Sequence, residues 1–110
     1  MTTETDTGKA DFRTLGEAGR LGDNDVIAYY IEEMKHRVSV ARVGGKLFAF
    51  DDLYEGYPLS GGLLSGAVLM SQFDGSQFDL PTGAVMRGPA TDRLETYDVR
   101  EQDGDIQVRI

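Results

Sequence analysis

The chain of 110 residues contains no cysteine and no tryptophan, and His36 is its only histidine. With no sulfur nucleophile or thiolate ligand, disulfides, Cys-type structural zinc, thiolate-held iron–sulfur clusters and cysteine catalysis are all excluded. Basic charge is scarce as well, with 11 Lys and Arg against 19 Asp and Glu and a net charge of -8 at pH 7. The few bases are scattered, so nucleic-acid phosphates and anionic lipid are repelled, and a basic protein surface is the better complement. No apolar run of about 18 residues is present, and the opening MTTETDTGKAD is polar and acidic, unlike a secretory signal. These absences imply a cytoplasmic protein that neither spans a membrane nor binds nucleic acid.

What is present is patterned for β-structure. Residues 1–10 hold too little apolar surface to stay ordered and are expected to form a tail, with residues 11–110 as a single domain. The segment ADFRTL supplies a first strand, GEAGRLGDND a turn-rich connection, and VIAYYIEEM a β-branched and aromatic run. A tight turn near Lys35 and His36 leads to RVSVARV. Gly44-Gly45 then separates two apolar runs as a two-residue hairpin does, with Phe48 and Phe50 on one face of the second. At the C-terminal end Asp103-Gly104 divides TYDVREQDGDIQVRI in the same way, with Ile106, Val108 and Ile110 on one face and Gln107 and Arg109 on the other. Between the hairpins, residues 51–90 form a Gly-rich stretch with only short strand pieces such as AVLM and GAVM, the pattern of functional loops.

The segments GGKLFAFDDL, GYPLSGGLLSG, DGSQFDLPTGAVMRGPAT and YDVREQDGDIQVRI resemble the Rieske ferredoxins, small electron carriers that serve bacterial oxygenases. The resemblance extends from DFRTL to the last strand. It implies an all-β, antiparallel β-sandwich with a small loop-rich subdomain at about 51–90, and an oxygenase or ferredoxin reductase component as partner. In that family two loops, Cys-x-His-x-Gly-Cys-Pro-Leu and Cys-x-Cys-His-Gly-Ser-x-Phe-Asp, hold a [2Fe–2S] cluster with one Cys and one His each. The remaining two Cys commonly form a disulfide.

This chain departs at every such position. Aligned on Gly56 and Pro58, the first loop is two residues short: Tyr54 stands for the His ligand, Tyr57 for the bridging Cys, and the first Cys ligand has no counterpart. In the second loop Ser71 stands for the Cys ligand, Phe73 for the bridging Cys and Asp74 for the His ligand, while Gly75, Ser76, Phe78 and Asp79 are kept. A hydroxyl does not replace a thiolate on iron, nor a phenol of pKa near ~10 an imidazole, so no cluster is expected and no cofactor is assigned. Tyr57 and Phe73 are expected to pack together, refilling the cavity and tying the loops without a covalent bond.

Other chemistry is weaker in the sequence. Glu55 and Asp74, with Asp51 and Asp52, are oxygen donors suited to a hard cation, but without the spacing of a calcium loop they read as an acidic rim. His36, in EMKHRV, reads as a surface residue instead of a triad base, and SGGLLSG lacks the context of a phosphate loop. Asp74 and Asp79 as a hydrolytic pair are no more than an acidic chain contains by chance. Tyr29, Tyr30, Tyr54 and Tyr57 are candidates for a binding patch, with strand packing as the alternative. The sequence therefore reads as a cluster-free, non-enzymatic protein-binding module, with an inactive or engineered ferredoxin scaffold as the alternative and a new oxygen-donor metal site ranked last.

Overall fold

The computed structural model describes residues 11–110; the expected tail at 1–10 lies outside the described residues. Its strands are β1 (Arg13–Glu17), β2 (Val26–Ile31), β3 (His36–Val43), β4 (Lys46–Asp51), β5 (Leu53–Tyr54) and β6 (Tyr57–Pro58). They continue as β7 (Leu63–Ser65), β8 (Val68–Met70), β9 (Gln77–Asp79), β10 (Val85–Arg87), β11 (Thr96–Gln102) and β12 (Asp105–Arg109). A six-stranded sheet runs β1-β12-β11-β4-β3-β2, a four-stranded sheet runs β10-β9-β8-β7, and β5 pairs with β6. All pairings are antiparallel. Among the described residues no helix is long and apolar enough to cross a membrane.

Both expected hairpins are present, with left-handed backbone at both central residues: φ is 58° and 82° at Gly44 and Gly45, and 54° and 83° at Asp103 and Gly104. This backbone matches strand twist, which is why these residue pairs occupy the turns. The first strand lies later than expected. It begins at Arg13 and includes Gly16, where a Cβ would come 3.1 Å from the Tyr29 ring, and a bulge between Thr14 and Gly16 absorbs the irregularity. The run VIAYYIEEM also ends early as a strand, because Glu32–Met34 form a 3-10 turn closed by Lys35 at φ 52°.

Period-two alternation distributes the apolar residues between two cores. Val38, Val40, Ala49, Ile106 and Val108 face one core with Leu21 and Ile31. Ala41, Phe50, Leu59, Leu69, Phe78, Leu80 and Leu94 form the other, between the large and small sheets. Strand β3 contributes to both, so Val38 to Ala41 are all buried. Such a four-residue buried stretch marks a strand covered on both faces. The second core is the platform on which residues 51–90 stand.

Candidate functional site

The first loop is closed at its base by Asp52, whose side chain is fully buried. Its Oδ1 accepts from Ser39 Oγ at 2.8 Å and from the Ser60 N–H at 2.9 Å. Its Oδ2 lies 2.9 Å from Arg37 Nη2. The Leu59 N–H also donates to the Asp52 carbonyl at 2.7 Å, so the two ends of the loop are fastened together. Between them β5 and β6 form a minimal hairpin, turning at Glu55 (φ 50°) and Gly56 (φ 92°).

The second loop caps itself. Ser71 Oγ accepts from the Phe73 N–H at 3.1 Å, Asp74 Oδ1 from the Ser76 N–H at 2.9 Å, and the Gly75 N–H donates to the Ser71 carbonyl at 3.0 Å. Ser76 Oγ in turn accepts from the Ala90 N–H at 2.9 Å. Each short polar side chain thus satisfies a backbone donor of the turn, the usual service of Ser and Asp there.

The two loops meet through side chains. Tyr57 Oη donates to Asp74 Oδ2 at 2.5 Å, and the Tyr57 and Phe73 rings pack with centroids 5.3 Å apart at 43°. The expected aromatic contact is therefore present, but it does not fill the cavity in the expected way. Phe73 remains 57% exposed, whereas Tyr54 is 7% exposed and packs 4.9 Å from the Phe78 ring. Tyr54 can be buried because its hydroxyl is satisfied, donating to the Asp92 carbonyl at 2.6 Å and accepting from the Asp92 N–H at 3.2 Å. Phe73 is held outside by the tight turn that carries it.

The hydrogen bond to Asp74 pushes the Tyr57 phenol up to about 12, with burial and the charges of Asp74 and Glu55 adding to it. The same bond, followed by the Ser76 N–H, holds the Asp74 carboxyl below its ordinary value, while burial raises Tyr54. A raised folded pKa means that an unfolded Tyr57 ionises first as pH rises. The clasp therefore contributes stability that is complete below pH ~10 and is lost as pH rises toward about 12. The depressed Asp74 acts at the other end: its contribution is complete above pH ~4 and is lost as pH falls through its folded value. Ultraviolet titration of tyrosinate in Asp74→Asn is expected to bring the Tyr57 transition back toward ~10; a transition that stays near 12 would disprove the coupling.

The remaining candidates are dispersed. Asp51 does not face Glu55 and Asp74 as a metal ligand; its Oδ1 is shared by His36 Nε2 and Tyr97 Oη, each at 2.6 Å. Asp52 is committed to Ser39, Ser60 and Arg37, and Asp79 accepts from Thr82 Oγ1 at 2.7 Å. Among the described residues no group of three or more His, Asp or Glu is placed to hold a metal. His36 is a half-buried member of the Asp51–Tyr97 cluster, not the surface residue that the sequence suggested. Sequence pairing contained the signal: the Gly44-Gly45 hairpin sets Val38 opposite Asp51, two residues from His36, and β11 brings in Tyr97. Burial and then Asp51 raise the Tyr97 phenol. Tyr29 is half-buried beside Gly16 and Tyr30 is 54% exposed, both on β2, so neither joins the Tyr54–Tyr57 hairpin.

This arrangement of sheets and loops is the Rieske ferredoxin fold, and the structural neighbours are Rieske-type ferredoxins of aromatic dioxygenase systems. The chain is similar to the ferredoxin of Sphingomonas yanoikuyae B1, at TM-score 0.83 and 28% identity over 91% of this chain and 99% of that one. It is similar also to a chain in the complex of reduced oxygenase and oxidised ferredoxin in carbazole 1,9a-dioxygenase, at TM-score 0.80 and 25% identity over 89% and 92%. The ferredoxin of carbazole 1,9a-dioxygenase from Nocardioides aromaticivorans IC177 shares the fold, at TM-score 0.79 and 20% identity over 90% and 97%. No protein-family model and no curated protein matches the sequence.

A [2Fe–2S] cluster does not fit these residues. The chain has no thiolate to offer, its one imidazole is bonded to Asp51, and the Tyr54 ring lies buried at the loop where a ligand is expected.

Proposed function

We propose that this chain is a cluster-free Rieske-fold protein that works in the cytoplasm as a non-enzymatic, protein-binding accessory to an oxygenase system. Residues 11–110 act as one domain whose loops, at about 51–90, form the contact surface. Tyr54, Tyr57, Ser71, Phe73 and Asp74 occupy the positions that held cluster ligands and bridging cysteines in its electron-carrying ancestry. The observation that carries this reading is the Tyr57–Asp74 bond with the Tyr57–Phe73 contact, which gives the two loops a defined joint shape without metal or disulfide. Similarity to a chain from an oxygenase–ferredoxin complex favours the oxygenase as partner, ahead of a ferredoxin reductase.

The reading is tested in a reconstituted system of reductase, ferredoxin and ring-hydroxylating oxygenase from the same organism. Adding this protein is expected to inhibit turnover competitively, with relief by excess ferredoxin, and substituting it for ferredoxin is expected to give no turnover. Turnover in place of ferredoxin would overturn the non-redox role. Absence of inhibition at saturating concentration would overturn the module reading in favour of an inactive scaffold.

A further inference from the structure

Taking the oxygenase-docking reading as its basis, we infer that Phe73 is the anchor of the docking surface and that it enters an apolar pocket on the partner protein rimmed by Arg or Lys. Most exposed aromatic side chains lose rotamer freedom when a partner immobilises them, which weakens binding. Phe73 has already lost much of it. Its ring lies against Tyr57, its N–H is held by Ser71 Oγ, and the turn that carries it is fixed through Asp74 to both Ser76 and Tyr57. Even so, 57% of the residue remains open to water. A rigid, exposed aromatic on a fixed loop has the features of a binding hot spot.

The charges around it define the partner. Residues 51–90 contain five acids, Asp51, Asp52, Glu55, Asp74 and Asp79, against one base, Arg87. Asp51 is held by His36 and Tyr97, Asp52 by Arg37 and Ser39, and Asp79 by Thr82. Glu55 and Asp74 have no ion-pair partner among the described residues. Asp74 accepts from the Tyr57 hydroxyl, and Glu55 lies at the turn of the Tyr54–Tyr57 hairpin. An apolar knob with one unpaired carboxylate next to it and a second at the turn of the adjoining hairpin is complemented by an apolar socket with basic residues at its mouth.

The test is equilibrium binding of the intact protein to the purified oxygenase component. Phe73→Ala is expected to weaken binding by about thirty-fold, with a melting temperature lowered by only a few degrees, because the contact with Tyr57 is lost while the Tyr57–Asp74 bond remains. Glu55→Gln with Asp74→Asn is expected to weaken binding and flatten its salt dependence. Met34→Ala, an exposed apolar change on the Glu32–Met34 turn and outside residues 51–90, is expected to leave affinity unaltered and serves as the control. Phe73→Ala binding as tightly as the unaltered protein would overturn the anchor while leaving the module reading intact. Unchanged salt dependence in the double variant would overturn the basic rim. No binding by the unaltered protein would overturn both readings together.

Discussion

Asp52→Ala is expected to lower the unfolding free energy by about 3 kcal/mol, read as a fall in the urea midpoint with little change in slope. The side chain is fully buried and serves three partners, Ser39 Oγ, the Ser60 N–H and Arg37. Arg37 is 43% exposed and can turn to water, so the loss of its ion pair costs little. The Ser39 hydroxyl and the Ser60 N–H have less freedom, and leaving buried donors unpaired costs about 1–3 kcal/mol each. Because Asp52 also fastens the base of the first loop, its removal is expected to accelerate amide exchange at Leu59 and Ser60 before the rest of the chain. A midpoint shift worth less than about 1 kcal/mol would show that the loop closes without the carboxylate.

Gly83→Ala is expected to be at least as damaging, with a loss of about 3 kcal/mol or more, or failure to fold. Gly83 has φ 81°, where an L side chain is strained, and a Cβ there would lie 2.1 Å from the Leu94 carbonyl oxygen. That neighbour cannot retreat cheaply, since the Leu94 N–H donates to the Gly83 carbonyl at 2.7 Å and the Leu94 side chain is buried in the second core. Gly66 is the internal comparison: its φ is 58°, but a Cβ there meets nothing within 4 Å. Gly66→Ala should therefore cost only the backbone strain, about 1 kcal/mol. Equal thermal stabilities for the two variants would remove the steric argument and leave dihedral strain alone.

These two positions illustrate which features were legible in the sequence. The large sheet was readable because its signals are local: Gly44-Gly45 and Asp103-Gly104 carry the turns, and alternation assigns Ile106 and Val108 to the core face. The short strand β8 falls within AVLM and β10 overlaps GAVM only at Val85 and Met86, while three-residue strands such as β7 and β9 have too few residues to display a period. The Tyr57–Phe73 contact could be anticipated from the family resemblance. Which ring would be buried could not, because that depends on a hydrogen-bond partner for Tyr54 at Asp92, 38 residues away. The same limit hid the Asp51–His36–Tyr97 cluster, whose members come together only once three strands are in register.

The joining of the loops by a phenol, a carboxylate and a tilted aromatic pair frees this fold from two supplies that a cluster-bearing relative requires. No iron, sulfide or assembly machinery has to deliver a centre before the loops take shape, and no thiol has to be oxidised or kept reduced. The shape of these loops is thus set by the chain itself, independent of iron supply and of thiol redox state.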